Sequence, residues 1–330
     1  MTQIDVMHMT YDGFHEGFHD GFLGERDSSL AEEHEQHASY DNASGNNASD
    51  CHGDSESANN SANSTANSIA SNSATVQHPM RNNVDSDTAV STRCVVFGAG
   101  EYYSNLPELP SNALVIAADG GLNHAREMGI NVDFVIGDFD SLVGEIPQSG
   151  DVVRLPAQKD DPDLLSALKV GWNRGAREFH IIGALGGRID HTIANIQLLA
   201  LIAQHGGIGF LYGNGFIVTA MRDGRLDFQA WSAGVGRMVS VFSHDDQSHG
   251  VTERGLKYEL TDATLANTVV RGLSNEFCDN TPASIDVSDG TLIVTFPIEA
   301  PLPQFTVHHT FHGDLGALDT EVSSALAVRD

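Results

Sequence analysis

Two carboxylates at alternate positions, Asp138 and Asp140, follow the apolar run Phe134-Val135-Ile136-Gly137. A short apolar run bounded by glycine reads as a buried strand. In extended backbone, side chains two apart point to the same side. Asp138 and Asp140 therefore converge, and Phe139 turns the other way into the core. Two acidic oxygens at the carboxyl end of a strand form a hard-oxygen site, whose usual occupant is Mg2+ held by one or two carboxylates plus substrate phosphates. Taken alone, the same residues read first as a solvated acidic turn capped by Ser141.

Further polar groups recur along the chain. Leu114–Ala118 is apolar and runs into Asp119-Gly120-Gly121, ahead of an amphipathic helix that stops at Gly129. The two glycines let backbone approach a ligand, and a helix N-terminus favours an anion. Lys159-Asp160-Asp161-Pro162-Asp163 opens the next helix, with Pro162 suited to its first turn and Lys159 able to meet phosphate. The apolar run Phe179–Ile182 leads to Gly186-Gly187-Arg188-Ile189-Asp190-His191 and a long helix. The glycine pair permits a phosphate-sized turn, and Arg188 can make forked contacts with phosphate. Asp190 and His191 fix that arginine or cap the helix. After the first strand, Gly98-Ala99-Gly100 resembles the opening of a dinucleotide fingerprint, but Tyr103 stands where the third glycine belongs. Each cluster by itself is also what a plain helix cap looks like.

The elements between these groups decide how they are read together. Strands alternating with helices call for a Rossmann-like α/β domain, with a mostly parallel sheet covered by helices on both faces. In such a sheet ligands sit at the carboxyl ends of the strands. Asp119, Asp138/Asp140, Asp160/Asp163 and Arg188 then share one edge, an acidic cage suited to a magnesium–nucleotide substrate. Past Gly206 the pattern changes to short β-type runs punctuated by Gly, Asp and Asn, which predicts an antiparallel β-sandwich. Ser274 and Asn275 offer hydrogen bonds there, and Phe277 offers a ring face or packs in the core.

The expected organisation is a disordered acidic tail over 1–90, an α/β catalytic domain over 91–225, a β-sandwich over 226–315 and a frayed C-terminus over 316–330. The tail is rich in Ser, Asn and His and nearly free of large apolar residues, so it cannot offset ordering entropy. It carries His8, His15, His19, His34, His37, His52 and His78 without metal-site spacing. The formal charge of −28 repels phosphate backbones, which argues against nucleic acid as a partner. Cys51, Cys94 and Cys278 cannot build a disulfide framework, and no apolar run approaches membrane-spanning length. The start lacks a signal-peptide pattern, so a soluble cytoplasmic protein is expected.

The chain resembles the thiamine pyrophosphokinase (thiamine diphosphokinase) family. The resemblance rests on Ala118-Asp-Gly-Gly121, Gly137-Asp-Phe-Asp-Ser141, Lys159-Asp-x-x-Asp163, Gly186-Gly-Arg-x-Asp-His191, Gly255-Leu-Lys-Tyr-x-Leu260 and Leu273-Ser-Asn275. Any one of these is weak, whereas six in order are specific. The resemblance implies transfer of a pyrophosphoryl group from ATP to thiamine, giving thiamine diphosphate and AMP. It implies Mg2+ on Asp138, Asp140 and Asp163, and Asp119 near the transferred group. Arg188 and Asp190 would meet ATP, in a nucleotide site with Gly120, Gly121, Lys159, Asp160, Gly187 and His191. Ser274, Asn275 and Phe277 would line a thiamine pocket formed between the subunits of a homodimer. Pro162 departs from the family, where Thr or Ser is common. A pterin pyrophosphokinase and a non-catalytic thiamine or nucleotide sensor are the rival readings.

Overall fold

The computed structural model describes residues 92–106, 108–139, 151–234 and 237–322. The tail, with its histidines, and Asp140 and Ser141 lie outside the described residues. In chain order the elements are β1 (Arg93–Phe97), β2 (Leu114–Ala118), α1 (Gly121–Glu127), β3 (Phe134–Gly137), β4 (Asp151–Arg154), α2 (Asp163–Asn173), β5 (Glu178–Ile182), α3 (Ile189–Gln204) and β6 (Ile208–Tyr212). The antiparallel part follows with β7 (Phe216–Phe228), β8 (Met238–Ser243), β9 (Gln247–Arg254), β10 (Leu260–Ala266), β11 (Asn275–Glu276), β12 (Ala283–Pro297) and β13 (Gln304–Val307).

The first half is the expected parallel sheet, in the order β6-β5-β1-β2-β3-β4. Central strands that face helices on both sides must be apolar throughout. Val95, Val96 and Phe97 of β1 and Ile181 and Ile182 of β5 are accordingly almost fully buried. The chain steps outward from β1 through β2 and β3 to β4, then returns through α2 to place β5 on the other side of β1. The reversal point of such a sheet is where a crevice opens. Gly121 shows how tightly this half is packed: a Cβ there would lie 2.0 Å from the Phe97 carbonyl oxygen.

The second half is antiparallel, as expected. β6 pairs antiparallel with β7, which pairs along its length with the 15-residue β12. The other edge of β12 serves β9 in its first part and β8 in its second. The register shifts between Val287 and Thr291, where Gly290 has φ +123°. The boundary expected at 225/226 thus falls inside β7, and the two halves are joined by continuous strands rather than by a linker.

Of the segment expected to fray, residues 316–319 are docked, with Leu318 packed on the core and Ala317 and Asp319 hydrogen-bonded, while Thr320, Glu321 and Val322 are exposed. Beyond β13 the chain runs back over the α/β half, and Leu315 is buried in the core that α2 and α3 share. Nothing in the residue pattern announces this, because the segment has neither strand nor helix periodicity. Residues 323–330 lie outside the described residues.

Candidate active site

At the reversal point, a cleft of about 480 Å³ opens between the carboxyl ends of β1, β2 and β5 and the starts of α2 and α3. Its floor is glycine. The amides of Gly98 and Gly100 donate to Ile182 O at 2.8 Å and Gly183 O at 2.7 Å, which brings two backbones into contact. Any Cβ at Gly98 would lie 2.5 Å from Gly183 O. Gly186 and Gly187 turn with φ +83° and +61°, a region that L side chains rarely adopt. The Gly187 amide donates at 2.8 Å to Oε1 of Glu101, whose Oε2 accepts from Tyr103 at 3.0 Å. This carboxylate meets the glycine turn that the sequence assigns to phosphate. Neither Glu101 nor the buried Asn195, which donates to Ala184 O at 2.6 Å, was singled out in the sequence. Their partners lie 86 and 11 residues away, and no local pattern announces them.

Two acids reach the cleft wall. Asp119 extends the β2–β3 ladder, its amide donating to Ile136 O at 2.8 Å. Asp163 is the first residue of α2, preceded by Pro162 with φ −63° and ψ 152°. Lys159 Nζ lies 3.0 Å from Asp163 Oδ1, on a side chain only 6% exposed. Burial pushes the Asp163 carboxyl above its ordinary range; Lys159 opposes this, while Asp119 and Asp138 add to it. Those two charges are felt at Asp163, so the three acids from β2, β3 and α2 share one electrostatic site. Among the described residues, no three His, Cys, Asp or Glu side chains are close enough to hold a metal ion between them. The donor chemistry still fits Mg2+, which takes one or two carboxylates and completes its shell with phosphate oxygens and water.

Asp138 is half-buried at the end of β3. The backbone beyond it is not the extended chain expected. Phe139 has φ +63°, and Asp119 has φ +46°. Left-handed non-glycine residues cost on the order of 1–3 kcal/mol each and cluster at functional sites. Phe139 reaches the core in part: it is half-buried, packs against the hydrophobic cluster of β1 and β3, and lies under the Arg154 guanidinium, 5.5 Å from its ring centre.

The remaining predicted residues divide. Gly187, Arg188 and His191 line the cleft. Arg188 is 73% exposed and forks onto Asp190, with Nε 3.1 Å from Oδ1. The mutual ion pair raises the arginine and lowers the aspartate. Gly120 and Gly121 are buried, with Gly121 pressed against β1 rather than lining the cleft. Asp160 is exposed, and its amide donates to Asp319 Oδ2 at 3.3 Å.

In the antiparallel half, Ser274 is exposed with φ +61°, its amide donating to Ser240 Oγ at 3.0 Å. Asn275 is buried and fully engaged. Its Nδ2 donates to Glu253 Oε2 at 2.8 Å and Tyr258 O at 2.7 Å, and its Oδ1 accepts from the amides of Tyr258 at 3.0 Å and Glu276 at 2.9 Å. It clamps the 255–260 turn to β11. Phe277 is 1% exposed and meets Phe228 and Trp231 edge-on at 5.1 and 5.7 Å. Beneath the clamp, burial raises the Glu253 carboxyl above its ordinary range, with Asn275 opposing.

Two family models match. "Thiamin pyrophosphokinase, catalytic domain" covers residues 107–208, and "Thiamin pyrophosphokinase, vitamin B1 binding domain" covers 229–292. The chain belongs to the thiamin pyrophosphokinase family. Within that family, the thiamine pyrophosphokinase of Bacillus subtilis (strain 168) is 28% identical over 172 residues, spanning 50% of this chain and 78% of the relative. The solved thiamin pyrophosphokinase from Geobacillus thermodenitrificans superposes with a TM-score of 0.54 at 25% identity, over 62% of this chain and 97% of that one. The Candida albicans thiamin pyrophosphokinase, at 15% identity and a TM-score of 0.53, shares the fold over 63% of this chain and 89% of its own. No helix among the described residues is long and apolar enough to cross a membrane.

Proposed function

We propose that this chain is a thiamine diphosphokinase. The thiamine hydroxyl oxygen attacks the β-phosphorus of ATP, the bond from that phosphorus to the α-phosphate oxygen breaks, and AMP leaves as thiamine diphosphate forms. The reading is carried by one observation: catalytic and vitamin B1 binding matches lie in sequence on one chain, the first containing most of the cleft. A pterin acceptor is not favoured beside a vitamin B1 binding match, and a bare sensor has no use for a carboxylate set.

Such a transfer depends on positioning and on neutralising charge at the bridging oxygens. Mg2+ bound by Asp138, Asp163 and, from the sequence motif, Asp140 would supply most of that neutralisation. The glycine floor lets phosphate approach backbone amides, and Gly187 and the exposed guanidinium of Arg188 stand beside it. Asp190 holds Arg188 in its fork, and His191 lines the wall behind. Lys159 balances Asp163 within the acid set. Asp119, on the wall between β1 and β3, orients or accepts the alcohol proton. Ser274 is the thiamine-facing residue, with Asn275 and Phe277 shaping the pocket from behind.

A homodimer fits the surface beside that pocket. Met238, Tyr258, Val270 and Leu273, all more than half exposed, stand on or next to the 255–260 turn and β11. The proposed partners are thus thiamine, ATP and a second copy of the chain, in the cytoplasm. The deciding experiment incubates purified protein with thiamine, ATP and Mg2+ and follows products by chromatography. AMP and thiamine diphosphate in equal amounts support the reading. AMP without thiamine diphosphate points to another acceptor, and folded protein that yields no AMP overturns the assignment.

A further inference from the structure

The C-terminal segment beyond β13 lies past the residues matched by the vitamin B1 binding domain, which end at 292. It nevertheless reaches the Lys159–Asp163 loop beside the nucleotide cleft. Phe311 packs against Gly206 at the end of α3, and Gly313 turns with φ +107° beside His205. Leu315, 6% exposed, plugs the core, and Leu318 packs against the same cluster. Between these two leucines the segment meets the one buried lysine of α2. Lys169 Nζ donates at 2.9 Å to Ala317 O and at 2.5 Å to Asp161 Oδ2. One ammonium therefore holds both the strap and the Lys159–Asp163 loop. A second tie joins Asp319 Oδ2 to the Asp160 amide at 3.3 Å.

Pro162 and Asp163 of that loop line the cleft. We propose that the strap over 311–319 positions the nucleotide loop, with Lys169 and Asp319 as positioning residues for ATP and its metal. The physical basis is the cost of order. A polar loop between a strand and a helix has no apolar face of its own to bury, so fixing its backbone needs an external anchor. Lys169 is itself buried and needs acceptors on two sides. Asp161 and Ala317 supply them, so loop and strap stabilise each other. Neither Lys169 nor Asp319 touches the cleft; both act through Asp160, Asp161 and Asp163. The proposal rests on the nucleotide reading of the cleft but not on thiamine as acceptor.

The test uses the full chain. Calorimetry measures binding of ATP with Mg2+, and steady-state assays measure KM for ATP, KM for thiamine and kcat. In K169M the affinity for magnesium–ATP should fall about tenfold, the factor given by one net hydrogen bond, while KM for thiamine stays within about twofold of the wild-type value. K169R should recover most of the loss. D319A should weaken ATP binding and D319N should not, because an asparagine oxygen still accepts from the Asp160 amide. If K169M does not fold, K169M/D161N removes both charges, and D319A against D319N carries the test. Equal loss of ATP and thiamine affinity, or wild-type ATP binding in folded K169M and D319A, overturns the proposal. Wild-type protein that binds magnesium–ATP but makes no thiamine diphosphate would overturn the acceptor and leave the strap test intact.

Discussion

Replacing Asn275 with alanine separates a substrate contact from a clamp. All four hydrogen-bonding positions of the Asn275 amide are taken, two as donor and two as acceptor, at 2.7 to 3.0 Å. A side-chain amide offers no more than this, so none is left for a ligand. Truncation removes four bonds worth about 1 kcal/mol each, and a buried group left without its partner adds about 1–3 kcal/mol. Tyr258 lies on an exposed turn, and its backbone groups regain water, which reduces the loss. Glu253 stays under the sheet, 1% exposed, and does not. The expected destabilisation is about 3–5 kcal/mol, which for a urea m-value of about 2–3 kcal/mol/M lowers the midpoint by about 1–2 M. The assay is equilibrium urea unfolding followed by tryptophan fluorescence, with Trp231 reporting from its edge contact with Phe277. Where folded protein remains, KM for thiamine should change less than about threefold, since the lost bonds are internal. A midpoint shift below about 0.4 M, joined to a rise in thiamine KM above about tenfold, would refute the clamp and make Asn275 a substrate contact.

Other perturbations address the remaining parts. Asp138→Asn should lower kcat on the order of a hundredfold or more, with an unchanged melting curve, because charge at the reacting phosphates is then less well balanced; wild-type turnover would remove Asp138 from the acid set. Burial raises the Glu253 carboxyl in the fold above the 4.5 of the unfolded chain. Its contribution is therefore complete below that pH and declines as pH rises from there through the raised folded value, at about 1.4 kcal/mol per pH unit. Thermal melts of Glu253→Gln against wild type should show the variant gaining relative stability as pH rises above 4.5, and a gap that stays constant refutes this. Leu273→Asp, placed in the exposed apolar patch, should weaken self-association on the order of a hundredfold, read by light scattering during size-exclusion. A dimer that persists at low concentration would move the interface elsewhere.

The parallel half was legible because its strands are short apolar runs ending in Gly or Asp, and because the carboxyl edge of such a sheet collects whatever follows those runs. Asp119, Asp163, Gly187, Arg188 and His191 arrive at the cleft on that logic alone. Phe139 meets the core as alternation predicts, but only half-buried, and its left-handed backbone is a departure from the extended chain that alternation assumes. Gly120 and Gly121 look like ligand-facing glycines in sequence, but steric contact with Phe97 is reason enough for Gly121 to lack a side chain. Asn275 has the right type for a ligand contact; only the cross-strand positions of Glu253 and Tyr258 reveal that its capacity is spent. The strap was invisible because its anchors lie 148 and 159 residues from their partners and depend on single bonds rather than on a repeat.

The long β7–β12 ribbon bears on how the protein can move and fold. The sheet runs from the nucleotide half into the thiamine half through the β6–β7 ladder, so a hinge between them would have to tear that ladder. Opening and closing during turnover must then be local, confined to turns such as 255–260 and 186–188. The same continuity links the stabilities of both halves. A chain cut near 225 would leave β7 severed and β12 with a bare edge, and such edges aggregate. The enzyme should therefore melt in a single transition, with ATP alone protecting the distant vitamin-binding strands from hydrogen exchange.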